Sequence, residues 1–187
     1  MPCPITVSKF VGTVSLGLLT GLSYATTTVT IPSLKLLPTS TSAARSLAEA
    51  KRLSRSHSFR LTNIANTTLL LAYLVSPRHR KHPYLVWMCL TSALGSYGVD
   101  YWFNRQAGIK NWVAGIWQES CCARLFGKGA QGKKEEDIVV VEAEEGGVNG
   151  ERVQEEMEEE RVAHLVRGIV SGVALAMGIV GLWGDRK

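Results

Sequence analysis

Four stretches of this chain carry no charge at all, and they constrain its fold more than any other feature. They run from Phe10 to Leu34, Leu61 to Ser76, Pro83 to Val99 and Gly168 to Gly184, holding 25, 16, 17 and 17 residues. A bilayer core of roughly 30 Å is crossed by about 20 apolar residues in helical form. The first run is long enough outright. The other three reach that length once flanking aromatics and snorkelling Arg or Lys side chains are counted. A soluble helical bundle places polar residues every few positions along each helix, and these runs do not. The 45% hydrophobic content is ordinary for 187 residues, so the signal lies in the distribution. The expected fold is an all-α integral membrane protein. Its four transmembrane helices fall at about 10–31, 60–76, 83–103 and 165–184, with extended extramembrane helical segments and one acidic, partly disordered loop.

Between the second and third runs the chain reads SPRHRKHPYLVW. Pro77 and Pro83 stop and restart helices. Arg78, Arg80 and Lys81 make an interfacial basic turn, and Tyr84 and Trp87 suit the headgroup level. Small residues recur at spacing four in the first and last runs: Gly17, Gly21 and Ala25, then Gly168, Gly172 and Ala176. Such a stripe lets a partner backbone approach closely, either within the chain or in a homo-oligomer.

From Pro38 to Pro77 no Gly or Pro intervenes. The Thr39–Ser42 cluster offers N-caps, and a long helix is expected from about Ser40 straight into the second run. Lys35 to Arg60 holds six Lys or Arg against one Glu, a composition that an anionic membrane surface attracts. Little aromatic residue interleaves it, so nucleic acid is not the expected partner. Residues 135–160 hold twelve acidic residues and one Arg. The segment 121–150 is expected to be a flexible loop becoming acidic, and 151–166 a helix leading into the last run. With four spans the basic and acidic loops share one membrane side and attract each other, through exposed pairs that loosen with salt. Residues 106–118 read as an interfacial amphipathic helix, with Ile109, Trp112, Val113, Ile116 and Trp117 on one face.

Ser54, Ser56 and Ser58 stand among Lys51, Arg52 and Arg55, and phosphates there would weaken attraction to anionic lipid. From Cys121 to Val170 there is no Ser, Thr or Tyr. The four cysteines have no spacing that suggests a disulfide framework or a metal site. Cys121 and Cys122 are candidates for acylation, with free thiols as the plain alternative. No catalytic, cofactor-binding or metal motif is found, and the expectation is a protein that is not an enzyme and needs no cofactor. Asp100 and Arg105 fall at the edge of an uncharged run rather than within it, and His164 reads as interfacial. Two other readings stay open: a small channel or transporter subunit built on Thr13, Thr20 and Thr27, and a secretory-pathway membrane protein with cleavage after Ala25.

SLGLLTGLSYA in the first run, KHPYLVW in the basic turn (His82, Pro83, Tyr84 and Leu85 its sharpest piece) and the terminal GLWGD together resemble the fungal autophagy-related protein 33 family. The resemblance covers roughly residues 5–103 and the last 20 or so. It implies a multi-pass protein of the mitochondrial outer membrane that promotes selective autophagy of mitochondria. The implied partners are the lipid bilayer and proteins of the mitophagy machinery, and no catalytic residues are implied. Direct display of a receptor peptide is not expected. Trp87-x-x-Leu90 has the aromatic-to-aliphatic spacing but lies inside an uncharged run, and the acidic loop holds no aromatic residue.

Overall fold

The computed structural model describes residues 4–77, 82–103, 105, 109, 112–113 and 150–184. These residues are helical, without strands. Helix α1 (Pro4–Ala25) passes through a π-helical turn (Thr26–Thr30) into the short α2 (Ile31–Leu34). Helix α3 (Ser40–Val75) is one unbroken rod, as the absence of Gly and Pro predicts. Helix α4 (Tyr84–Ala93) leads through a second π turn (Leu94–Gly98) into α5 (Val99–Phe103). Helix α6 (Gly150–Gly184) is the last element.

The helices form a bundle in which α1 and α4 each pack on both α3 and α6. Neighbours run antiparallel. Gly12 of α1 meets Leu69 of α3, and Gly168, Gly172 and Gly178 of α6 meet Ser23, Thr20 and Thr13 in turn. The central core is Leu16, Leu19, Ala65, Leu69, Leu85, Met88, Cys89 and Ala174. A second apolar cluster, Ile31, Ala43, Leu47, Val153 and Met157, joins α2, α3 and α6 beyond the end of α5. There the basic half of α3 and the acidic half of α6 lie side by side. Lys35 pairs with Glu158, and Lys51 lies 3.2 Å from Glu160.

The expected four transmembrane helices are corrected to two candidate spans. Only α1–α2 (Ile5–Leu34) and α6 (Gly150–Gly184), among the described residues, are long and apolar enough to cross a membrane. The apolar half of α3 is diluted by Thr62, Asn63, Asn66, Thr67 and Thr68, and α4–α5 by Thr91, Ser92, Ser96 and Asp100. Thr39 stands at the N-cap of α3 but makes no capping bond to a backbone N–H. Its hydroxyl lies 2.6 Å from that of Ser42, which itself bonds the Thr39 carbonyl.

The bundle buries polar side chains among its apolar core and carries many large apolar side chains on its outer surface. Ser23, Ser58, Thr62, Ser92, Ser96, His164 and Ser171 are fully buried. Phe10, Leu18 and Tyr24 of α1, Leu71 and Leu74 of α3, Trp87 and Leu94 of the α4 arm, and Ile169, Val180 and Trp183 of α6 face outward. On α6 the exposed apolar residues run from Val162 to Trp183, about 32 Å at helical rise.

Candidate functional site

A charged network sits where the outward apolar band ends. It is built by α3, α5 and α6 together. Asp100 lies in the first turn of α5 and is 4% exposed. Its carboxylate accepts from Arg55 Nη2 at 2.9 Å and from Trp112 Nε1 at 2.7 Å, and Arg167 Nη2 lies 3.9 Å away. Arg167 is itself 3% exposed. A guanidinium holds only donors, so its Nη1, 3.3 Å from His164 Nδ1, makes that ring nitrogen an acceptor. The ring proton therefore resides on Nε2, which lies 3.3 Å from Glu160 Oε1 and 3.2 Å from Ser54 Oγ. Burial alone would raise the Glu160 carboxyl, but the hydrogen bond from His164 and the charge of Lys51 outweigh it and bring it down to about 2. Glu160 lies on the acidic half of α6, before its uncharged run.

Taking two charges out of water is costly unless each finds partners. Here the carboxylates of Asp100 and Glu160 are each shared by groups from more than one direction, so the network ties three helices at one level. The reason it forms is topological. Asp100 closes one uncharged run and Arg167 immediately precedes another. Antiparallel packing of α4–α5 on α6 sets those two ends side by side.

Below the network a ladder of neutral polar contacts continues into the bundle. Thr62 donates to the Ser58 carbonyl, so Ser96, 2.5 Å away, is the donor to Thr62. Ser92 donates to Asn66 Oδ1 at 2.6 Å and Tyr97 to Asn63 Oδ1 at 2.5 Å. Thr20 and Ser171 meet at 3.2 Å across α1 and α6. Thr13, Thr20 and Thr27, the face considered for a channel, donate to carbonyls four residues back in their own helix. That local bond satisfies a hydroxyl without water.

The small-residue stripes divide. Gly168 and Gly172 face α1, where an added Cβ would stand 3.4 Å from Ser23 and 3.7 Å from Thr20. Gly17 has only Leu175 at 3.9 Å, and Gly21 faces open space. Ala25 and Ala176 are exposed. The tightest approaches are at other glycines. A Cβ on Gly12 would meet Leu69 at 2.7 Å, one on Gly178 would meet Met88 at 2.6 Å, and one on Gly181 would enter the Tyr84 ring.

The HPYL segment is part of this packing. Leu85 is in the core. Tyr84 packs on Gly181 and lies under the Lys9 ammonium, 5.7 Å from its ring centroid. The His82 and Tyr84 rings are 5.9 Å apart, and the Pro83 carbonyl accepts from the N–H groups of Val86 and Trp87. Of the serines proposed for phosphorylation, Ser54 and Ser58 point into the bundle and Ser56 is half-buried. A kinase would reach Ser54 or Ser58 only if α3 and α6 parted. Arg78, Arg80, Lys81, Cys121, Cys122 and the acidic loop lie outside the described residues. So does the interfacial helix 106–118, apart from Ile109, Trp112 and Val113. His164, expected at an interface, is instead fully buried between α3 and α6.

Comparison with known proteins agrees with the motifs. A family model described as autophagy-related protein 33 matches residues 1–138. The autophagy-related protein 33 of Gibberella zeae is 30% identical over 188 residues, covering 97% of this chain and 91% of its own. No solved structure matches. With the model match spanning most of its length and that relative aligned nearly end to end, the chain belongs to the autophagy-related protein 33 family.

Proposed function

We propose that this protein is a non-enzymatic component of the mitochondrial outer membrane that promotes selective autophagy of mitochondria, by recruiting partner proteins or organising the membrane. Family membership supports an autophagy-related role. The mitochondrial placement rests on the resemblance carried by SLGLLTGLSYA, KHPYLVW and GLWGD. The membrane placement rests on one observation: hydroxyls such as those of Ser23, Thr62, Ser96 and Ser171 are buried beside the apolar core, while large apolar side chains such as Leu74, Trp87, Val180 and Trp183 face outward. In water that arrangement forfeits the apolar burial that drives folding. In lipid it is the favoured one, because polar groups must find partners within the protein. The band of about 32 Å on α6, from Val162 to Trp183, is close to the thickness of a hydrocarbon core. Helices α1 and α6 cross it, with α3 and α4–α5 packed against them.

An accessory role fits better than direct display of a receptor peptide. Trp87 and Leu90 are exposed but belong to a regular α-helix, whereas strand-adding recognition needs an extended segment. The outer halves of α3 and α6, paired through Lys51–Glu160 and flanked by the Lys35–Glu158 pair from the end of α2, extend past the band and offer the surface for partners.

The test is an internally tagged copy in a fungal strain lacking its own family member. The expected results are co-fractionation with the outer mitochondrial membrane, resistance to alkaline carbonate, and restored vacuolar turnover of a mitochondrial matrix reporter during starvation. Release by carbonate overturns the membrane reading. Residence in the secretory pathway overturns the placement, and unchanged turnover overturns the mitophagy role.

A further inference from the structure

An apolar groove opens on the outer face of the bundle between the α4 arm and α6. It is lined by Leu94, Val99, Trp102, Phe103, Val166 and Val170, with Gly98 between them. Its cause is the π turn at Leu94–Gly98. The widened turn displaces the helix face, and two of its five residues are glycines. At Gly95 α6 comes close, since an added Cβ would stand 3.0 Å from Val170. Leu94 and Trp102 are 65% and 69% exposed, so the groove is open sideways rather than enclosed. From Leu94 to Trp102 it runs about 12 Å at helical rise.

One end of the groove is apolar and the other is cationic. Trp102 and Phe103 follow Asp100 in the chain, and Val166 precedes Arg167. At that end Arg105 lies over the Trp102 ring, 5.8 Å from its centroid, and is exposed. Behind it stand Lys51, Arg55 and Arg167 with the carboxylates of Asp100 and Glu160. Among the described residues these four cations stand with two carboxylates. Both carboxylates are already engaged, and Arg167 Nε is buried without a hydrogen-bond acceptor. A ligand apolar along most of its length, with an anionic group within reach of the exposed Arg105, complements the groove.

We infer that the groove between the α4 arm and α6 holds an acyl chain of an acidic phospholipid, with its phosphate at the Arg105 end. The chain lies along Leu94 and Val170, toward the middle of the outward apolar band. The phosphate sits where that band ends, level with the Asp100 network. This inference rests on the membrane reading given above. It adds a specific headgroup preference that a plain lipid-facing surface would lack.

The test uses the full chain in nanodiscs of phosphatidylcholine. A low, fixed fraction of lipid carries bromine on its acyl chains, either phosphatidylcholine or phosphatidic acid. Bromine quenches tryptophan on contact, and the quenching lost in Trp102→Phe is the share of the groove. The expected result is quenching of Trp102 roughly fivefold more effective with the brominated acidic lipid, the enrichment set by one well-placed basic residue. Arg105→Gln, at an exposed position, should erase the preference while leaving the fold intact, and Val170→Phe should block both lipids. Equal quenching by the two lipids overturns the site and leaves the membrane reading standing. Absence of quenching by either overturns the membrane reading itself. Loss of the preference on adding soluble glycerol phosphate shows a free-phosphate site and overturns the lipid assignment.

Discussion

Replacing Asp100 by Ala should be among the most damaging single changes in the bundle. The side chain is 4% exposed and accepts from Arg55 and Trp112, with Arg167 3.9 Å away. A charge pair at about 4 Å interacts with about 4 kcal/mol at the effective dielectric suited to such sites. Removing one partner of a buried pair also strands the other charge, and the measured cost is about 3–5 kcal/mol. Asp100→Asn keeps an acceptor oxygen and the shape while losing the charge, so it should cost less, about 1.5–3 kcal/mol. The double variant Asp100→Asn with Arg167→Gln should cost less than the sum of its parts, because the buried Arg167 charge is no longer left without its carboxylate, although Arg55 still loses its partner. The measurement is reversible unfolding of the purified protein in mixed micelles against mole fraction of dodecyl sulfate, followed by circular dichroism. A loss below about 1 kcal/mol for Asp100→Ala, the scale of an exposed ion pair, would refute the buried-network argument. Strict additivity in the double variant would refute it independently.

Gly181→Val forces a branched side chain into the Tyr84 ring and should destabilise by about 1–3 kcal/mol in the same assay, whereas Gly21→Ala, facing open space, should change stability by less than about 0.5 kcal/mol. Because Glu160 is held down at about 2 from an ordinary 4.5, it contributes stability above pH 4.5. That contribution fades as pH falls toward 2, and Glu160→Gln should flatten this acid limb in a pH series of the unfolding midpoint. The exposed Lys35–Glu158 pair should yield to salt. A spin-label pair placed at Arg45 and Glu155 should report looser association of the outer halves of α3 and α6 at high ionic strength, with no change between labels placed within the apolar band.

The sequence made the rods visible and their contacts only partly so. Uninterrupted residues between Pro38 and Pro77 dictate one helix, and Ser40–Val75 is one helix. Opposite charge on the outer halves of α3 and α6 foretold their pairing, which Lys51–Glu160 realises, with Lys35 at the end of α2 adding a pair to Glu158. A spacing of four marks a stripe of small residues without naming the helix it meets. That is why Gly168 and Gly172 face α1 while Gly21 and Ala25 face outward. The charged network was hidden for a different reason. Each of Asp100, Arg167 and His164 is ordinary where it stands, and only antiparallel packing brings them together. A signal was nonetheless present: two uncharged runs flanked by opposite charges at the ends that an antiparallel pair would bring level. The number of crossing helices was overread. Absence of charge is not the same as apolarity, and Thr62, Asn63 and Asn66 make the difference on α3.

Because α3 runs from Ser40 to Val75 without a joint, it is a lever of about 54 Å. Its outer arm is gripped by α6 through ion pairs, and its inner arm is wedged by Leu69 against Gly12. A protein that pulls on the outer arm cannot bend it there alone. The displacement must reappear at the far side of the fulcrum near Ser58, among side chains that no external partner touches. Capture of a partner on that arm can thus be felt as a change in how the helices lean on one another deep in the bundle.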